Sequence, residues 1–193
     1  LIKLLTAGFV QMALSDQSQN PLLGKWETQH EIAPFNVIYD EHFQPALEIA
    51  CSEALLEVEE IIKNRNEPTF ENTIEALLST GQLLDRIVST FYTIAGAHTN
   101  KKRDELLLIF SSKLSDHNTN IYSNTELFDR IDRVVETKHL NGLDPEQERV
   151  LKLIHRNFVR SGAALKGKNK TRFQDISKHC LLYTSPSPRD AHK

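Results

Sequence analysis

Phe43-Gln-Pro-Ala-Leu47-Glu-Ile-Ala50-Cys51-Ser-Glu-Ala54-Leu55-Leu-Glu-Val58-Glu-Glu-Ile61-Ile62 is the stretch on which the fold turns. Its apolar side chains at Phe43, Leu47, Ala50, Cys51, Ala54, Leu55, Val58, Ile61 and Ile62 recur every three or four residues, the period that gathers side chains into one stripe along an α-helix. Glu53, Glu57, Glu59 and Glu60 line the polar side, which reads as a solvated face because nothing places two of them around a common cleft. The run Asn64-Arg-Asn-Glu-Pro68 ends the helix, since a proline pushes its predecessor out of the α region.

The same period continues outward. After an irregular opening from Asn20 to Asp40 and the first helix, a second helix is predicted from about Thr69. Phe70, Ile74, Leu77, Leu78, Leu84, Ile87, Val88, Phe91 and Ile94 form its stripe, which carries it toward the Gly96–Asn100 region. Gly81 falls inside that stripe, and a single interior glycine costs only about 1 kcal/mol against alanine, so it reads as close packing or a kink rather than an end. A third helix runs from about Lys101 into the 116–123 region. A fourth starts near Asn124 with Leu127, Phe128, Ile131, Val134 and Val135. In the fifth, Asp144-Pro145-Glu-Gln147 supplies a cap acceptor, a proline at the first helical position and a Gln that can reach back to the cap. Val150, Leu151, Ile154, Phe158 and Val159 make its apolar face. A sixth, shorter segment is expected around Thr171–Lys178. No alternating strand of convincing length and no fixed-period repeat occurs, so the predicted class is all-α.

Composition narrows the function classes. The 193 residues are 39% hydrophobic and 25% charged, with only seven glycines and seven prolines, which disfavours disorder, collagen and turn-dense β-sandwiches. A net charge of −3 lacks the basic excess that nucleic acid or an anionic membrane calls for. The apolar run Leu1–Leu14 is interrupted by Lys3, Thr6 and Gln11 and is too short to span a bilayer, which takes roughly 20 apolar residues. Neither nucleic acid nor membrane is expected as a partner. Cys51 and Cys180 are too few for a disulfide framework or a four-thiolate zinc site, and a reducing, cytoplasmic compartment is the simpler reading.

The two ends read differently from the middle. Met12 opens Met-Ala-Leu-Ser-Asp, a plausible start, so residues 1–19 are expected to be a leader or translated upstream sequence. A clipped secretory signal, which would make the protein secreted or periplasmic, is the rival reading. Residues 181–193, beginning Leu181-Leu-Tyr-Thr-Ser-Pro-Ser-Pro-Arg-Asp190, abandon the helical pattern and resemble translated adapter sequence. Residues 20–180 are then one helical region.

No chemical constellation appears in that region. A zincin needs two histidines one helical turn apart with a glutamate beside the first. The eight histidines, His30, His42, His98, His117, His139, His155, His179 and His192, are scattered singly and read as surface or boundary residues. His179 and Cys180 are sequence neighbours, which on a helix point in different directions. Lys166, Lys168, Lys170 and Arg172 form a basic cluster without interleaved aromatics, the pattern of a solvated helix start rather than of a nucleic-acid site. No catalytic, cofactor-binding or metal-ligating residue is assigned.

Several blocks nevertheless occur together and in order. Asn20-Pro-Leu-Leu with Ala33-Pro-Phe and Glu41-His-Phe-Gln-Pro-Ala46, then Pro68-Thr-Phe-Glu-Asn-Thr-Ile74, then Asn157-Phe-Val-Arg-Ser-Gly-Ala163 resemble the amino-terminal part of the thimet oligopeptidase family of metallopeptidases. Ala97-His-Thr-Asn100, Ile121-Tyr-Ser-Asn-Thr-Glu-Leu-Phe128, Arg130-Ile-Asp-Arg-Val134 and Leu140-Asn-Gly-Leu-Asp144 lean toward its peptidyl-dipeptidase Dcp branch and away from oligopeptidase A. The resemblance covers about residues 20–180.

The resemblance implies a two-lobed, mostly helical enzyme with a deep channel, in which this segment supplies early helices that wall the channel. It implies zinc held by two histidines of a His-Glu-x-x-His helix and a later glutamate, with the motif's own glutamate activating the bound water. No position in this chain matches those residues, so the chain itself is expected to bind no zinc and to be inactive, its catalytic region lying outside it. Short peptides are the implied substrates. The branch sets the product, a carboxyl-terminal dipeptide in one case and internal cleavage in the other. A noncatalytic helical interaction module is the alternative from another class.

Overall fold

The computed structural model describes residues 20–138, 142–165, 167–169, 172, 173 and 176, and among them it contains helices and turns but no strand. The all-α expectation holds. Five long helices carry the fold: α1 Asp40–Lys63, α2 Gln82–Ala97, α3 Lys101–Tyr122, α4 Thr125–Thr137 and α5 Pro145–Arg160. The readings of residues 1–19 and 181–193 lie outside the described residues. Of the sixth predicted segment, Arg172, Phe173 and Ile176 are described, all three helical. Within the region read as one, residues gather into two compact units. Of the described residues, the first takes those up to Lys63 together with Ala76–Asn118, and the second takes Asn64–Glu75 and those from Thr119 onward.

In the first unit the stripe of α1 does what its spacing predicts. Phe43, Leu47, Ala50, Ala54, Val58 and Ile61 are buried, while Cys51, Leu55 and Ile62 at the stripe's margins are half-buried. Pro45 lies within the helix on its exposed side, so the carbonyl released by the missing N–H can turn to water. Leu84, Ile87 and Phe91 of α2 meet this stripe. Phe91 stacks on Phe110 of α3 with ring centroids 3.9 Å apart, and Phe43 meets Phe91 edge-on at 5.2 Å. The irregular opening is pinned to this core. The Asn20 amide donates to the His42 carbonyl while its Oδ1 accepts the Leu22 N–H, and Arg86 of α2 donates to the Leu22 carbonyl and lies 4.6 Å over the Trp26 ring.

Gly81 corrects the sequence reading. It has φ 75°, in the left-handed region that glycine enters without a Cβ penalty, and it caps the start of α2 instead of lying inside a longer helix. A π-helical turn, Phe70–Glu75, and one α-turn, Ala76–Leu78, precede it. The break frees Leu78, a member of the predicted stripe, which is exposed. The packing half of the reading survives, since a Cβ at Gly81 would lie 3.6 Å from that of Ala54.

The second unit is a smaller core with many helix ends. Phe70, Ile74, Leu127, Phe128, Ile131, Val134, Leu151, Phe158 and Ala163 are buried. Val159, placed on the apolar face of α5 by its spacing, is instead exposed. The cap of α5 forms as read: Asp144 Oδ1 accepts the N–H groups of Glu146 and Gln147, and Gln147 Oε1 accepts the Asp144 N–H. Asn124 caps α4 through the Leu127 N–H. At the other end of α5, Gly162 donates to Val159 and Ala163 to Phe158, the paired bonds of a Schellman close. Gly162 has φ 82°, and a Cβ there would lie 2.7 Å from the Phe173 ring, so two independent constraints select glycine.

Candidate functional site

Four polar joints occupy the blocks that carry the family resemblance. Thr69 and Asn72 form the first, a reciprocal capping pair: the Thr69 N–H donates to Asn72 Oδ1 at 2.9 Å and the Asn72 N–H to Thr69 Oγ1 at 3.2 Å. It starts the helical turns where the sequence predicts a start near Thr69. Arg130 of α4 then reaches this turn. Its Nη1 donates to the Asn64 carbonyl at 2.6 Å, and its Nη2 donates to Asn72 Oδ1 at 3.2 Å. Burial pulls the Arg130 pKa down, with the Glu67 charge opposing, yet a guanidinium stays charged through the physiological range. The 64–68 loop with Asp129, Arg130 and Arg133 surrounds an open depression of about 230 Å³. Arg130 is committed to carbonyl and amide oxygens and its Nε is buried without a partner, so the guanidinium serves as a clamp on the loop.

The block around Ala97–Asn100 makes a second joint between α2 and α3. Asp40 at the start of α1 accepts Arg103 Nε at 2.8 Å and Asn100 Nδ2 at 3.3 Å. Burial works to raise the Asp40 carboxyl, but these hydrogen bonds and the Arg103 charge outweigh it and hold the group below its ordinary value. The Asn20 turn and the Schellman close at Gly162 are the other two joints.

The residues weighed as chemical candidates stay apart. His30 is exposed in the short turn Gln29–Glu31, His42 Nδ1 accepts the Tyr39 N–H, His98 lies beside Arg103, and His155 Nε2 lies 3.0 Å from Asp132 while its ring stacks on Phe128. His117 departs from the surface reading. It is buried in α3, where Leu106, Phe110, Leu114 and His117 repeat at helical spacing, and its Nδ1 has no partner. That repeat was the available signal. Burial pushes its pKa below the ordinary histidine value. Glu53, Glu59 and Glu60 are exposed as expected, but Glu57 is half-buried and accepts the Gly81 N–H at 2.7 Å, a carboxylate set at the start of α2. Burial raises the Cys51 thiol above its usual pKa, the opposite of an activated nucleophile. Lys168 and Arg172 are exposed, whereas Lys166, Lys170, His139, His179, Cys180 and His192 lie outside the described residues.

No protein-family model matches the sequence. Individual proteins do. Over 160 residues, 83% of this chain, it is 36% identical to dipeptidyl carboxypeptidase of Salmonella typhimurium, and over 168 residues, 87% of the chain, 33% identical to dipeptidyl carboxypeptidase of Escherichia coli. The chain is dipeptidyl carboxypeptidase-like. The match spans 24% and 25% of those proteins, their amino-terminal quarter. Oligopeptidase A of Escherichia coli is more distant, 26% identical over 161 residues that make up 82% of this chain and 23% of that protein. The order of the two branches follows the lean of the sequence blocks.

The dipeptidyl carboxypeptidase likeness can be set against the metal that the resemblance implies. Among the described residues no group of three or more His, Cys, Asp or Glu side chains is placed to hold a metal ion, so they do not fit a zinc site. They contain capped helix ends, a carbonyl clamp and two apolar cores. No helix among them is long and apolar enough to cross a membrane.

Proposed function

We propose that this chain is the amino-terminal helical part of a peptidase that takes short peptides and releases dipeptides from their carboxyl ends. The observation that carries the reading is the 36% identity to dipeptidyl carboxypeptidase over 83% of the chain. In this reading zinc and its ligands belong to sequence outside the chain, and the protein is cytoplasmic. The role of the described helices is positional. Arg130 and the caps at Thr69, Asp144 and Gly162 hold turns in one geometry, as the wall of a substrate channel requires, and no step of the chemistry passes through them.

The test is product analysis on the uninterrupted protein that carries this segment, using matched peptides with free and amidated carboxyl ends. Dipeptide release from the free acids, suppressed by amidation and by chelator, is expected, because a site built to pair a carboxylate is left unsatisfied by the amide. Equal internal cleavage of both peptides moves the assignment to the oligopeptidase A reading, which the 26% identity supports. Chelator-resistant cleavage removes zinc from the proposal. The chain alone is expected to cleave neither peptide.

A further inference from the structure

Ile32, Phe35, Val37 and Tyr39 are 56%, 48%, 43% and 57% exposed, four large apolar side chains within eight residues of the first unit. The stretch that bears them is held in place. Ile38 is buried and Ala33 packs on the core, so the backbone is anchored between the exposed positions. The Phe35 N–H donates to the Ala33 carbonyl and the Val37 N–H to the Pro34 carbonyl, the Thr28 hydroxyl donates to the Ile32 carbonyl, and the Tyr39 N–H reaches His42 Nδ1. Just before it, His30 and Glu31 have φ of 58° and 54°, a conformation that side-chain-bearing residues rarely adopt and that persists only where the surroundings fix it. Apolar groups on an ordered stretch need no further folding before they meet a partner surface.

We propose that residues 32–39 form the seat on which the remainder of the longer protein packs, an inference that rests on the chain being its amino-terminal part. The chain spans about a quarter of its dipeptidyl carboxypeptidase relatives, which leaves three quarters of such a protein to supply the covering surface. Size selects this occupant over a second copy. Four half-exposed side chains of this kind present roughly 400 Å², about half of the ~800 Å² per partner of a stable interface between separate molecules. A patch of that area suffices when both surfaces belong to one polypeptide, because linkage supplies a high effective concentration.

The experiment grafts residues 20–165 of this chain in place of the matching segment of the Salmonella typhimurium enzyme, and compares the chimera with the isolated chain by hydroxyl-radical labelling at Phe35 and Tyr39. A several-fold fall in labelling on grafting is expected. The Phe35→Ser/Tyr39→Ser pair should lower the melting temperature of the chimera by several degrees while leaving that of the isolated chain unchanged. Equal labelling in both contexts, whether or not the graft is stable, overturns the proposal, as does an isolated chain that dimerises and becomes monomeric in the double variant. A chimera that protects Phe35 and Tyr39 but cleaves no peptide leaves the seat standing and counts against the functional reading instead.

Discussion

The two units hold themselves together by different means. In the first, three long helices share a dense aromatic centre of Phe43, Phe91 and Phe110, and polar joints such as Asp40–Arg103 fasten its margin. In the second, the buried side chains serve helices of 13 and 16 residues and the turns beside them, and several ends carry their own device: Thr69 with Asn72, Asn124, Asp144 with Gln147, Gly162, and Arg130 across the 64–73 stretch. Every helix has the same number of unsatisfied terminal N–H and carbonyl groups whatever its length, so ends weigh more in the second unit, whose helices are on average shorter. Stability lost from the first unit should follow volume, and from the second, hydrogen-bond satisfaction.

The largest expected effect tests the first half of that contrast. Phe91→Ala removes a ring that contacts both Phe43 and Phe110 and should destabilise by about 3–5 kcal/mol, read from denaturant unfolding and from amide exchange in α1 and α2. A loss under about 1 kcal/mol would mean that the core collapses around the gap and that the stack carries little.

Arg130→Met tests the second half, because it keeps the side chain's bulk and removes its donors. Leaving the Asn64 carbonyl and Asn72 Oδ1 without their charged partner should cost about 2–3 kcal/mol. Amide protection at Asn72 and Thr73 should fall with it. If instead the variant gains stability, the buried unpartnered Nε outweighs the clamp, as happens for some buried charges.

A smaller effect is expected from Asp144→Ala, about 1 kcal/mol, from loss of the acceptor for the Glu146 and Gln147 N–H groups. Asp144→Asn should recover most of it, since the amide oxygen can still accept. An unchanged unfolding midpoint for both variants would show that α5 is held by packing alone and would erase the contrast between the units.

The smallest effect concerns pH. Burial holds folded His117 below 6.5, so on acidification the unfolded chain takes up its proton first, and stability falls as pH drops from 6.5 toward the folded value. Well above 6.5 both states are neutral and His117 contributes no slope. His117→Leu should flatten this part of the acid-side decline, at most about 1.4 kcal/mol per pH unit. Denaturant midpoints collected between neutral and mildly acid pH measure the difference; parallel curves would show that buried His117 takes up its proton as readily as an unfolded one.

The sequence by itself determined what is written within one or two helical turns. The stripe from Phe43 to Ile62 specified α1, Thr69 marked a start, and Asp144-Pro145-Glu-Gln147 specified the cap of α5, because each depends on neighbours three or four residues away. The ordered blocks by themselves also point to the dipeptidyl carboxypeptidase relatives. Other features were settled only in three dimensions. Leu77 and Leu84 are seven residues apart, two helical turns, so the stripe keeps its phase through Gly81 and hides the break there. What fixes that break is the approach of Ala54 and the Glu57 carboxylate, more than twenty residues away in the chain. Arg130 looks like any polar helix residue until the fold brings Asn64 to it across 66 positions. His117 follows an apolar spacing, yet its chemistry suggests the surface, and only the packing of α3 decides between the two. Local periodicity records which face of a helix is apolar, whereas the partner of a buried donor, carboxylate or imidazole is chosen by chain segments that meet only when the tertiary fold forms.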